Sequence, residues 1–131
     1  MSKILITTVP FGDKNKLPLE LINENNIEYL INPLNKKLTE NELMELVSDF
    51  EVIIAGTEKI TERVMEKAVK LKFISRVGIG LDSVDLIAAE SRGIKVSYTP
   101  DAPAPAVVDL TMGLMYTLLR KVHEANIQLH Q

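Results

Sequence analysis

Short, mainly apolar runs alternate along this chain with longer stretches in which apolar residues recur every three or four positions. Residues 4–9, Ile-Leu-Ile-Thr-Thr-Val, form a β-branched run closed by Pro10 and Gly12. Side chains of that kind are stiff at χ1 and suit a pleated strand. The runs at 27–31, 52–55, 73–77 and 94–98 repeat the pattern. Between them lie helical signals. Residues 17–25 carry apolar side chains at 17, 21 and 22. Thr39 followed by Glu42 forms a capping box, opening a helix with Leu43, Leu46 and Val47 on one face. Thr61 caps a helix bearing Val64, Met65, Ala68 and Val69, and Asp82 with Ser83 opens another that Gly93 closes. Val52-Ile53-Ile54-Ala55 is apolar at every position, as a strand covered on both faces should be. Five strands separated by helices predict an α/β fold with a doubly wound parallel sheet, because parallel neighbours need crossover connections.

The last segment departs from this rhythm. From about Pro105 to the end the pattern predicts one long helix, and between 106 and 119 only Asp109, Thr111 and Thr117 are firmly polar. Val107, Leu110, Leu114 and Leu118 fill one stripe, while Val108, Met112, Met115 and Leu119 fill a second. A surface helix needs a single apolar stripe; two imply burial on two sides. The sheet covers one side, so a second domain or another copy of the chain is expected on the other. Self-association through the 105–131 helix, as a dimer or higher oligomer, is the corresponding expectation.

Composition narrows the class. The chain has 131 residues, 46% of them hydrophobic and 25% charged, which is globular composition. Fifteen Lys and Arg against eighteen Asp and Glu give a net charge of −3 with no basic run, so nucleic acid is not an expected partner. No cysteine is present, which excludes disulfides, thiolate nucleophiles and cysteine-bearing zinc sites. The two histidines, His123 and His130, fall in the polar end of the last helix and read as solvated, so no metal site is expected. The start turns polar too soon for a signal peptide, and no 18-residue apolar run can span a membrane. The expectation is a soluble cytoplasmic protein.

Ligands of doubly wound sheets sit at the carboxyl ends of the strands. That rule nominates residues 9–12, 56–58, 77–82 and 99–103. Val77-Gly78-Ile79-Gly80-Leu81-Asp82 is the most informative, with two glycines one residue apart between a strand and an expected helix start. Without a Cβ the backbone bends sharply and approaches a ligand closely, and free N–H groups there hold an anion, a carboxylate or phosphate. The alternative is a tight turn with no ligand. As a dinucleotide fingerprint the loop fails: Ser83 stands where the third glycine belongs, and the loop follows the fourth strand, not the first. Asp82 reads as the helix cap with Asp85 supporting the same start, and Thr57-Glu58-Lys59 reads as a solvated turn. Neither histidine lies near a strand end, which gives Ser-His-Asp chemistry no support. A phosphoryl-accepting receiver lacks its acidic residues here, and Pro10-Phe11-Gly12 does not supply a flavin phosphate loop.

Arg76-Val77-Gly78-Ile79-Gly80-Leu81-Asp82-Ser83-Val84-Asp85, then Ala88-Ala89, Arg92-Gly93-Ile94, Thr99-Pro100 and Val107-Val108-Asp109-Leu110-Thr111 together resemble the D-isomer-specific 2-hydroxyacid dehydrogenases. The resemblance runs the length of the chain and is strongest from 72 to 120. It implies a flavodoxin-like substrate-binding domain at 1–104 and a linking helix at 105–131, with the nucleotide-binding Rossmann domain beyond this chain. It implies a substrate carboxylate held by the backbone at Ile79 and Gly80, with Gly78 and Leu81 alongside, and a small 2-hydroxy or 2-oxo acid as substrate. Catalytic arginine, glutamate and histidine and the site for NAD or NADP would fall outside residues 1–131, so the expectation is a truncated, inactive piece of an oxidoreductase. The sequence departs from the family at three places. Pro103 stands where Asn is frequent, Ala55-Gly56 where many phosphoglycerate dehydrogenases carry Arg-Ser, and Asp109 where Glu is usual. A second reading stays open: a stand-alone, non-catalytic module that binds a carboxylate or a protein partner.

Overall fold

The structure is a computed structural model and describes residues 2–130. Its sheet has five strands, β1 (Lys3–Ile6), β2 (Glu28–Ile31), β3 (Val52–Ala55), β4 (Phe73–Arg76) and β5 (Lys95–Tyr98). All neighbours are parallel, and the order is β2-β1-β3-β4-β5, the doubly wound arrangement that the alternating pattern predicts. The helices are α1 (Leu17–Glu24), α2 (Glu40–Leu46), α3 (Glu62–Lys67), α4 (Leu86–Ser91), α5 (Ala104–Leu119) and α6 (Val122–Leu129), with a 3₁₀ turn at Val47–Asp49.

Strand β1 stops at Ile6, three residues before the end of its apolar run. A parallel strand is only as long as the neighbours that complete its ladder. β2 ends at Ile31 ahead of Asn32-Pro33, and β3 ends at Ala55 ahead of Gly56. Thr7 makes the last bond to β3, its N–H donating to Ile54 O at 2.9 Å, and residues 8–9 leave the sheet at its carboxyl edge.

One row of side chains crosses all five strands in register: Leu30, Leu5, Ile53, Ile74 and Val96. The middle three are fully buried against Leu43, Val47, Val64, Met65, Ala88 and Ala89 from α2, the 3₁₀ turn, α3 and α4. Each such side chain contributes about 1.5–3 kcal/mol by leaving water. On the opposite face Val52 and Ile54 are half-buried, so β3 is sealed more fully on one side than its composition predicts.

Local caps fix the helix starts. Thr39 and Glu42 form the reciprocal capping box: the Thr39 N–H donates to Glu42 Oε2 at 2.9 Å, and the Glu42 N–H to Thr39 Oγ1 at 3.4 Å. Thr61 Oγ1 accepts from the Val64 N–H at the start of α3. Gly93 ends α4 at φ +68°, with its own N–H donating to Glu90 O and the Ile94 N–H to Ala89 O. That pair of bonds is a Schellman closure, which a left-handed glycine permits.

The start of α4 corrects the sequence reading. Asp82 and Ser83 do not open it; Asp85 is the cap, its Oδ1 accepting from the Ala88 N–H at 3.0 Å. The reason is a single parallel bridge between Ile60 and Val84. The Ile60 N–H donates to Ser83 O and the Asp85 N–H to Ile60 O, so Val84 is held beside Ile60 after a turn at 82–83, and no helix begins before it.

The chain divides into two compact units, Met1–Thr99 and Pro100–Gln131. In the second unit the expected single long helix is present only to Leu119. Lys121 takes a left-handed conformation at φ +53°, and α6 starts anew at Val122. The apolar stripes end at Leu119, and Arg120, Lys121, His123 and Glu124 offer nothing whose burial would hold the helix straight. No described residue of α5 or α6 is buried.

Candidate functional site

The sheet order reverses between β1 and β3, and the chain ends there bend apart into a cleft of about 180 Å³. Its lining comes from Thr7, Thr8 and Val9 after β1, Gly56, Thr57 and Glu58 after β3, Val77 after β4, and Lys37. Crevices at such reversals are where doubly wound folds bind ligands.

Glu58 does not lie in a solvated turn, as its Thr-Glu-Lys setting suggests. It is 2% exposed. Its Oε1 accepts from the Gly56 N–H at 2.9 Å and from the Thr7 hydroxyl. That hydroxyl also lies 3.1 Å from the Ile54 carbonyl, but it has one proton, and the charged carboxylate is the stronger acceptor. Oε2 has no partner among the described residues. A Cβ on residue 56 would stand 2.9 Å from that oxygen and 3.2 Å from the Thr8 Cα, so glycine leaves the room the carboxylate occupies. The sequence offers no local signal of this burial, because the Thr7 hydroxyl that meets Glu58 comes from the end of another strand, β1.

The glycine loop lies at the adjoining strand end. Gly78 sits at φ +141°, a conformation that suits glycine. Its N–H donates to Thr99 Oγ1 at 2.8 Å, and the Thr99 N–H returns a bond to Gly78 O at 3.0 Å. Gly78 therefore shapes the loop, and its own N–H is committed. The N–H groups of Ile79, Gly80 and Leu81 have no acceptor among the described residues. Arg76, at the end of β4, packs its guanidinium over Gly78 and donates from Nη1 to the Val77 carbonyl. Its Nε is buried without a partner. A positive charge thus stands against Gly78, at the start of the loop that carries the three open amides. Sequence reasoning counts Arg76 only as part of a motif; an arginine ending a strand directly before two glycines was the available signal.

Two features act against an anion here. Asp82 turns its carboxylate back toward Gly80, where a Cβ would come within 3.3 Å of Oδ2. The start of α4 is at Leu86, and the Ala88 N–H is taken by Asp85, so the helix start expected directly after the glycines does not bear on the loop. The loop's capacity rests on its amides and Arg76. His123 and His130 belong to α6 in the second unit, both exposed, with His130 Nδ1 2.9 Å from the Asn126 carbonyl.

Among the described residues no group of three or more His, Cys, Asp or Glu is placed to hold a metal ion. No described helix is long and apolar enough to cross a membrane. Nor do these residues fit a dinucleotide: the only closely spaced glycines follow β4 and lack the third member of the fingerprint.

A doubly wound parallel sheet with a crevice at its reversal and an open-amide glycine loop defines the α/β class, and comparison with known proteins assigns the family. The chain matches the family described as D-isomer specific 2-hydroxyacid dehydrogenase, catalytic domain, over residues 5–127, and it belongs to that family. It is 40% identical over 131 residues to D-3-phosphoglycerate dehydrogenase of Methanocaldococcus jannaschii, covering 98% of this chain and 23% of that protein. It is 38% identical over 98 residues to hydroxypyruvate reductase of Thermotoga maritima, covering 74% of this chain and 32% of that one. The crystal structure of NAD+-bound 3-phosphoglycerate dehydrogenase from Entamoeba histolytica superposes with a TM-score of 0.78 at 27% identity, over 88% of this chain and 38% of that one. The chain thus spans between about a quarter and a third of the length of these curated relatives.

Proposed function

We propose that this chain is the substrate-binding part of a dehydrogenase that moves a hydride between the C2 of a D-2-hydroxy acid and NAD or NADP. The observation that carries the reading is the set of three unpartnered amides at Ile79, Gly80 and Leu81, in a loop whose first glycine packs against the Arg76 guanidinium, at the carboxyl edge of the sheet. In this reading the substrate carboxylate accepts from the Ile79 and Gly80 N–H groups, with Leu81 alongside. Gly78 contributes by holding the loop's shape against Thr99. Charge-assisted bonds of this kind are about twice as strong as neutral ones, which suits a small acid that offers few other contacts.

The cofactor and the acid–base groups are proposed to belong to chain outside residues 1–131, in keeping with the NAD+-bound relative, of which this chain covers 38%. The described residues hold and orient the acid. The unit at 100–131 serves as the linking element, and its apolar α5 is proposed to be covered by further chain or a second copy. The proposed setting is the cytoplasm.

The test is a titration of the isotopically labelled chain with D-lactate, followed by amide shifts. Saturable shifts at Ile79, Gly80 and Leu81 are expected, with no dehydrogenation when NAD is added. Unmoved loop amides at saturating acid overturn the carboxylate assignment. Turnover by this chain alone overturns the division of labour.

A further inference from the structure

The cleft between the ends of β1 and β3 holds a group that neither the glycine loop nor the fold requires to be so placed. Glu58 is buried, yet only one of its two oxygens is satisfied. Its one bonded oxygen ties the end of β1 to β3, while the other stays open to the water of the cleft. Oε2 is surplus to that tie. It lies over the bare face of Gly56 in the lining of an open cleft and has no donor among the described residues. An ionised carboxylate accepts and never donates, so it selects a ligand group that carries a proton to give.

The rest of the lining defines that group further. Lys37 is the cleft's one cation, on its rim, and it forms no ion pair among the described residues. Neither Ala55 nor Gly56 supplies a second positive charge. One anion and one cation sum to a neutral cleft, which a dianionic phosphate or a second carboxylate would unbalance against Glu58. A hydroxyl answers both charges, donating to Glu58 Oε2 and accepting from Lys37 Nζ. An ammonium group would meet Glu58 but face Lys37.

Position ties the cleft to the proposed substrate. Val77 lines the cleft and is followed directly by Gly78, and the Val77 N–H donates to Ala55 O, one residue before Gly56. Neighbouring strands lie about 4.8 Å apart, so the cleft is roughly one to two strand spacings from the loop after β4, the reach of a short acid.

We propose that Glu58 is a specificity residue: it reads the tail of the 2-hydroxy or 2-oxo acid and selects a hydroxylated, uncharged tail over an aliphatic or phosphorylated one. This rests on the carboxylate assignment made above. Of the relatives described, the hydroxypyruvate reductase is named for an acid of the selected kind and the phosphoglycerate dehydrogenases for the rejected kind. The assignment separates this chain from the latter despite 40% identity.

The test compares D-glycerate, D-lactate and D-3-phosphoglycerate, which share the carboxylate and the C2 hydroxyl and differ only at C3. Each is titrated into the labelled 131-residue chain, with amide shifts followed at Ile79–Leu81 and at Gly56 and Glu58. D-glycerate is expected to bind about tenfold more tightly than either competitor, the worth of one hydrogen bond to a charged group, and alone to move Gly56 and Glu58. The variant Glu58→Gln keeps an oxygen for Thr7 and Gly56 while turning the free acceptor into a donor. It is expected to abolish the preference and raise phosphoglycerate relative to glycerate; a merely structural Glu58 would leave the ranking unchanged. The wild-type ranking stands as a test even if that variant does not fold. Equal affinities with loop shifts intact, or tightest binding of phosphoglycerate, overturn the tail assignment alone. Absence of loop shifts with all three acids overturns the carboxylate assignment beneath it.

Discussion

Gly56 and Glu58 are fitted to each other: the Gly56 N–H donates to Glu58 Oε1 at 2.9 Å, and a Cβ on residue 56 would stand 2.9 Å from Oε2 of the same carboxylate. Backbone Thr8 Cα closes the other side of that space at 3.2 Å. Gly56→Ala is therefore expected to destabilise the chain by about 1–3 kcal/mol, as overpacking against backbone does. Urea unfolding measures it. A double-mutant cycle with Glu58→Ala, which removes the carboxylate altogether, locates the effect: a coupling of at least about 0.5 kcal/mol places the strain on the carboxylate, and strict additivity places it on Thr8.

The same method separates Asp85 from Asp82. Asp85→Ala removes the cap of α4 and is expected to cost about 0.5–2 kcal/mol. Asp82→Ala removes no cap, and a change within about 0.5 kcal/mol is expected. Equal losses would mean that α4 starts where the sequence first suggests.

That contrast shows what was legible in the chain. The strand centres, the caps Thr39 and Thr61 and the stop at Gly93 are signalled by residues within a few positions of each other, and each stands where its signal lies. Asp82 and Asp85 carry equivalent local signals, and the choice between them is made by Ile60, which pairs with Val84 only in the folded chain. Glu58 is the same case. Its sequence neighbours Thr57 and Lys59 advertise a turn, while its burial depends on Thr7, just past the end of β1, a strand that neighbours β3 only in the sheet. The break at Lys121 comes from an absence, since polar residues follow Leu119 and nothing there selects a straight helix. The glycine loop was legible as an open-amide turn, whereas the commitment of the Gly78 N–H to Thr99 again needed two strand ends side by side.

Hydrogen exchange tests that commitment. The Gly78 amide is expected to exchange slowly and the amides of Ile79, Gly80 and Leu81 quickly, at rates approaching those of the unstructured chain. Thr99→Val removes the acceptor, and the Gly78 amide is then expected to exchange like its neighbours. Protection at Ile79 or Gly80 in the free protein would mean that those amides are already occupied.

Acid sensitivity should concentrate at α2 and the amino edge of the sheet. Glu42 is held down to about 2 from 4.5, first by the hydrogen bond from Lys36 and then by those from Thr39. Asp49 and Glu51 are also lowered, chiefly by hydrogen bonds from Lys70 and Lys72. A carboxylate whose folded pKa is depressed contributes stability above its unfolded value and loses it as pH falls through the folded one. The urea midpoint is therefore expected to fall between about pH 4.5 and about pH 2, and Glu42→Gln to flatten that slope while adding none above it. An unchanged slope in the variant would remove Glu42 from the account. These pairs are exposed, so added salt is expected to shrink the effect.

The two apolar stripes of α5 make the final prediction. Val107, Leu110, Leu114 and Leu118 on one side and Val108, Met112, Met115 and Leu119 on the other are all exposed, Leu118 at 79%. Apolar surface returns about 25 cal/mol per Å² when it leaves water, but a stable interface takes about 800 Å² from each partner. One sixteen-residue helix offers less than that from a single stripe, so self-association through it should be weak and concentration-dependent. Sedimentation velocity over a range of concentrations is expected to show a monomer passing into a dimer or larger species. Leu114→Glu places a charge in the middle of one stripe, and the transition is expected at concentrations at least about tenfold higher. A species that sediments as a monomer at every concentration would assign the cover of α5 to another part of the protein or to a different partner.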